Sequence, residues 1–186
     1  MEPEKMAITG MILVVVVVGI TLGISVLAFQ EPVNGTTLTE IRPDTDLLEL
    51  GLQVPSTWEF AMSDGTTISL SDFSGQAILV DLMATWCSTC TIQNGYLESA
   101  HESLSGSLVI LSLTVDRSET VPMMADYKSD RGLLWAHGLD TNSVFTNYFK
   151  VTNVPTLVLI DGDGYFRYMH VGTWSEAVIT DKVTSL

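Results

Sequence analysis

The chain has 186 residues, with 22 acidic against 8 basic side chains and a formal net charge of −14. A surface that acidic excludes a nucleic-acid partner, whose phosphates need Lys and Arg, and disfavours docking onto anionic lipid. The only cysteines, Cys87 and Cys90, are too few for a disulfide-stapled scaffold, and with three scattered histidines (His101, His137, His170) they do not make a structural zinc site.

Residues 1–6 read as a short tail. Residues 7–29 carry no charge. As a helix they span roughly 34 Å, against a hydrocarbon core of about 30 Å. A retained transmembrane anchor fits better than a cleaved signal peptide, because Glu2 and Glu4 outnumber Lys5 and the apolar run is long. Lys5 on the short side favours a cytoplasmic N-terminus and an extracytoplasmic remainder. Residues 30–50 are polar, Thr-rich and punctuated by Pro32, Gly35 and Pro43, as a flexible tether would be. Asn34-Gly35-Thr36 is a glycosylation sequon. Residues 51–186 suffice for one domain.

Within that domain the pattern predicts short strands over 56–62 and 66–70, around the turn Ser63-Asp64-Gly65. Residues 77–83 are nearly continuous apolar, as a strand buried on both faces should be. A helix comes next over 88–104, with Ile92, Tyr96, Leu97, Ala100 and Leu104 at helical spacing. Then come a buried strand over 108–115, a helix over 119–131 capped by Ser118, and a short strand over 133–136. A helix over 141–149 precedes a central strand over 156–160. Asp161-Gly162-Asp163-Gly164 turns that strand into an antiparallel edge over 165–171, and a helix over 175–183 ends the chain. The turn superficially matches a calcium loop, but the twelfth position, where that loop needs Glu, is Gly172. Alternating strands and helices predict an α/β fold: a central mixed β-sheet flanked by helices.

Cys87-Ser88-Thr89-Cys90 follows a buried strand and opens a helix. Free amides and the helix dipole at that end favour a thiolate at Cys87, the predicted exposed nucleophile. Cys90, one turn on, faces inward as the resolving thiol. A buried thiol holds its proton, so Cys90 needs a base. Asp81, inside the apolar 77–83 run, is the candidate; the competing reading is an Asp at a strand edge or bulge, touching water. Ser88 and Thr89 can donate hydrogen bonds to the Cys87 thiolate and so tune the pair. Pro155 stands at the first residue of a central strand, the one interior place Pro is tolerated. By residue pattern alone a trans bond there is the commoner case.

Together these residues resemble the thioredoxin superfamily, in particular its membrane-anchored TlpA/ResA-like branch. The resemblance runs from Gly51-Leu52-Gln53-Val54-Pro55, through Asp64-Gly65 and Ile68 to Gly75, to Ala84-Thr85-Trp86-Cys87-x-x-Cys90. It continues in Val151 to Thr156 and Ile160 to Gly164. It implies a thioredoxin-like fold with an N-terminal hairpin and a cis Pro155 packed against the cysteines. Trp86, Val154 and Pro155 become the candidate substrate-binding residues. The implied activity is extracytoplasmic thiol–disulfide exchange without a cofactor or metal, reducing exported proteins, as in cytochrome c maturation. A membrane electron-transfer partner would re-reduce the dithiol. The family has Pro immediately before the second cysteine, and here Thr89 stands there, which leaves the direction of electron flow open.

The rivals are an oxidant or isomerase of the same fold, a peroxidase and a copper carrier. The peroxidase would need Pro-x-x-x-Thr-x-x-Cys, and the carrier Cys-x-x-x-Cys with a distant His. His137 and His170 read as surface or packing residues instead. A purely structural disulfide closing four residues would stabilise little.

Overall fold

The computed structural model describes residues 52–186. The tail, anchor, tether and sequon assigned to residues 1–50 lie outside the described residues. Among the described residues no helix is long and apolar enough to cross a membrane.

Strands β1 (Glu59–Ala61) and β2 (Thr67–Ser69) form an antiparallel hairpin. The β3 strand (Ala77–Met83) leads to α1 (Ser88–Ser103), and β4 (Leu108–Thr114) leads to α2 (Val121–Arg131). After these come β5 (Ala136–Leu139), α3 (Val144–Tyr148), β6 (Thr156–Ile160), β7 (Phe166–Val171) and α4 (Glu176–Thr184). The main sheet has the order β5-β4-β3-β6-β7. The β3–β4 and β4–β5 pairs are parallel, while β3–β6 and β6–β7 are antiparallel, so the sheet is mixed as predicted.

Strand alternation sorts the core into two layers. Leu79 and Met83 of β3 pack with Leu97 and Ala100 of α1, Met124 and Tyr127 of α2, and Ile179 of α4. The intervening Ile78, Val80 and Leu82 pack on the other face with Phe60 of the hairpin and with Phe145 and Phe149 in and after α3.

Several elements depart from the sequence expectation. The cap of α2 is Thr120, whose hydroxyl accepts from the Met123 amide, with a proline in the helix's first turn. Ser118 is spent elsewhere: its hydroxyl and amide both donate to Asp116. The strand expected over 133–136 begins only at Ala136, where pairing with Leu111 starts. Leu133 and Trp135 are buried from an irregular segment, while Leu134 is exposed. The helix expected over 141–149 is a 3-10 turn and a short α3, because Asn142 and Ser143 adopt φ of 58° and 53°. The Asp140 carboxylate caps α3, accepting from the Phe145 and Thr146 amides.

The hairpin covers the free edge of β5, with the Ser63 amide donating to the His137 carbonyl at 2.8 Å. Gly138 permits the approach. A Cβ there would lie 2.6 Å from the Ala61 carbonyl oxygen and 2.7 Å from Met62 Sδ. Gly138→Ala should therefore destabilise the fold by roughly 1–3 kcal/mol, read as a lower urea midpoint at unchanged slope.

Candidate active site

The first turn of α1 carries the two cysteines, joined as a disulfide with Cα atoms 5.3 Å apart. Cys87 is the N-cap, and its Sγ accepts from the Cys90 amide at 3.1 Å. One of the free donors at that helix end thus already points at sulfur. Cys90 is fully buried and Cys87 is 7 % exposed. The expectation of an exposed nucleophile needs correcting to a nearly covered one, though Cys87 remains the only residue of the pair with surface.

What covers it is the segment before β6. The Val154–Pro155 peptide is cis, and the Val154 carbonyl oxygen lies 3.8 Å from Cys87 Sγ. Pro155 is buried and Val154 half-buried. Trp86 is 70 % exposed, and its indole N–H donates to Asp116 at 2.7 Å. The Ser118 hydroxyl, with help from that indole, holds the Asp116 carboxyl below the usual carboxylate range. Ser88 and Thr89 are both exposed, and the donor on Cys87 Sγ is the Cys90 amide rather than either hydroxyl. As the first two residues of the helix they lie on its solvent side.

Asp81 is fully buried in mid-strand, not at an edge or bulge. By alternation it shares the face of Leu79 and Met83, the face on which Cys87 and Cys90 pack. Burial pushes its carboxyl up to about 7, against a hydrogen bond from Ser112 that acts to lower it. That bond is 2.8 Å to Oδ2, while Oδ1 is buried without a partner.

Sequence reasoning missed four supporting residues. Gln93 is fully buried, and its amide bonds both the Trp174 amide at 2.9 Å and the Trp174 carbonyl at 3.2 Å. Asn94 donates to the Tyr127 hydroxyl at 2.8 Å. These two polar residues occupy the buried face of α1, whereas Ile92 and Tyr96, expected inside, are exposed. Facing Cys90 inward sets that phase. Glu119 accepts from the Thr85 amide at 2.9 Å and from its hydroxyl, fixing the turn into the motif. Only Ser112 had a visible signal, as the lone polar residue within Leu108–Leu113.

Beside Trp86, at the C-terminal ends of β4 and β5, Asp116, Arg117, Thr114 and Ser143 line a cavity of about 490 Å³. His137 is buried and packs against Trp135, with ring centroids 5.3 Å apart. Among the described residues no cluster of His, Cys, Asp or Glu is arranged to hold a metal.

A buried strand feeding a helix-capping cysteine pair, faced by the Val154 carbonyl, is the arrangement of a thioredoxin-like thiol–disulfide oxidoreductase. The Redoxin family model matches residues 49–183, and the chain belongs to that family. It is 25% identical over 120 residues to the thiol-disulfide oxidoreductase ResA of Bacillus subtilis, covering 64% of this chain and 66% of that one. It is 29% identical over 139 residues to the thiol:disulfide interchange protein DsbE of Vibrio cholerae, covering 69% of this chain and 71% of that one. The chain thus spans about two thirds of the length of these relatives. Among solved structures, a thioredoxin family protein from Chlorobium tepidum superposes with a TM-score of 0.64 at 23% identity, over 72% of this chain and 94% of that one. A DsbF homologue from Corynebacterium diphtheriae does so at 0.65 and 17%, over 77% and 94%. Both likenesses speak for the fold.

Proposed function

We propose that the chain is a membrane-anchored, extracytoplasmic disulfide reductase acting on exported proteins, those of cytochrome c maturation among them. The observation that carries the chemistry is the Cys87–Cys90 disulfide at the N-terminus of α1, with only Cys87 offered to the surface. The Cys87 thiolate attacks a substrate disulfide and forms a mixed disulfide. Cys90 then attacks Cys87 Sγ and releases the reduced substrate. Asp81, on the same sheet face, takes the Cys90 proton. Trp86, Val154 and Pro155 border Cys87 and receive the substrate chain, with the Val154 carbonyl available to an extended backbone. Ser88 and Thr89 tune the reduced pair from the solvent side of the helix end. A membrane electron-transfer partner restores the dithiol.

The anchor rests on the uncharged residues 7–29, and the extracytoplasmic placement on the positive-inside rule. The full chain should sediment with membranes and lose its domain to protease added from the extracytoplasmic side. Recovery in the soluble fraction would remove the anchor from the proposal. Direction is settled by the reduction potential against a glutathione series. A value near the thioredoxin figure of about −270 mV supports the reductase, whereas one near about −120 mV makes the chain an oxidant.

A further inference from the structure

Asp81 of β3 has Ser112 of β4 as its register partner on one side and Leu157 of β6 on the other. Ser112 is in turn opposite His137 of β5, and Leu157 opposite His170 of β7. Register partners share a face, so one row crosses the whole sheet beneath α1. In that row the Ser112 hydroxyl has two neighbours. It donates to Asp81 Oδ2 at 2.8 Å, and it accepts from the Trp135 indole N–H at 2.8 Å. An indole N–H can only donate, and a serine hydroxyl carries one proton. With the indole bond occupying one of its two lone pairs, Ser112 turns its single proton to Asp81, whose ionised carboxylate can only accept. An Oδ2 that already accepts a proton from Ser112 is the poorer place for a second one. Oδ1, buried and unpartnered, is the atom left.

We infer that Ser112, locked by Trp135, is a positioning residue that commits Asp81 to accept the Cys90 proton on Oδ1. The inference rests on the reading of Asp81 as the base for Cys90. In the second exchange the Cys90 S–H proton passes to Oδ1 and the Cys90 sulfur bonds to Cys87 Sγ. The bond from Cys87 to the substrate sulfur breaks, and its electron pair leaves with the substrate as a thiolate. Two electrons have passed from the cysteine pair to the substrate, which takes its proton from solvent.

The other groups around this row do not replace Ser112. From α1 come Cys87 and Cys90, with His101 placed 6.2 Å from the Trp135 ring. From α2 comes Tyr127, capped by the Arg131 guanidinium over its ring, and Lys128, which acts on His137. The α4 helix contributes apolar Ile179 and Val183, and His170 is stacked on Trp174. Burial and the Ser112 bond alone set the state of Asp81.

The test is the pH profile of mixed-disulfide resolution, monitored by stopped-flow release of a fluorescent thiol from Cys87 in the otherwise intact domain. Ser112→Ala should move the midpoint up by about one pH unit, since it removes a hydrogen bond to the carboxylate. Ser112→Thr should restore it. Trp135→Phe should give a smaller shift the same way, and it keeps the question answerable if Ser112→Ala does not fold. A Ser112→Ala profile lowered equally at every pH, or an unmoved midpoint in Trp135→Phe, overturns the inference. Should Asp81→Asn reproduce the wild-type profile, the underlying role of Asp81 fails instead.

Discussion

Cys87→Ser is expected to abolish disulfide exchange, lowering turnover by about 10³-fold or more, while Cys90→Ala keeps the first half of the reaction and loses the second. The asymmetry comes from placement. Cys87 caps α1, has the residual surface and lies against Val154, whereas Cys90 has no surface at all. A substrate sulfur can therefore reach Cys87 alone. With Cys90 absent the mixed disulfide has no internal route to resolve. Cys90→Ala should accumulate partner proteins in complexes stable on non-reducing gels and cleaved by dithiothreitol, and their identity would name the pathway. Retained turnover in Cys87→Ser, or complexes trapped by Cys87→Ala instead, would reverse the assignment.

Much of this arrangement is legible in the sequence because its signals are local. A run such as Ile78-Leu79-Val80 announces a buried strand, and a Cys-x-x-Cys directly after it fixes both the helix start and the order of the two sulfurs. Asp81 stands out because nothing else in its strand is polar. The supporting residues are hidden because their partners are distant in sequence. Gln93 looks like an ordinary helix-surface residue until the Trp174 backbone, 81 positions away, is brought against it. Glu119 gains meaning only from Thr85, 34 positions back. Ile92 and Tyr96 are misplaced for a related reason. Hydrophobicity alone phases the helix in the sequence, whereas the inward turn of Cys90 and the hydrogen bonds of Gln93 and Asn94 outweigh it. The β5 boundary moves because apolar residues also line buried loops, and pairing with β4, not composition, decides where a strand begins.

Asp81→Asn should raise folding stability above pH 7 while slowing the Cys90 step by about 10²-fold, the lower range for loss of a general base. The Asp81 carboxyl titrates near 3.8 in the unfolded chain and at about 7 in the folded one. Below 3.8 both states hold the proton and nothing is lost. As pH climbs toward 7 the unfolded chain ionises while the folded one resists, so stability falls and then levels off. The full loss is on the order of 4 kcal/mol, at about 1.4 kcal/mol per unit. Asn keeps an acceptor for Ser112 and carries no charge, so about 2–4 kcal/mol should return at pH 8. His137 has the opposite sign: burial holds it down to about 4 from 6.5, so its contribution is complete above 6.5 and is lost as pH falls toward 4. In the wild type these two slopes offset one another between about pH 4 and 6.5. Asp81→Asn should unmask the histidine and become acid-sensitive across that window. Urea unfolding of the oxidised domain at about pH 4, 6 and 8 measures both effects. An equal gain at the acid and alkaline ends of that series would mean the carboxyl is not held protonated by the fold, and its retention in the core would lose its functional explanation. With the predicted pattern, the domain gives up stability to keep an ionisable carboxyl on the sheet face against which Cys90 packs.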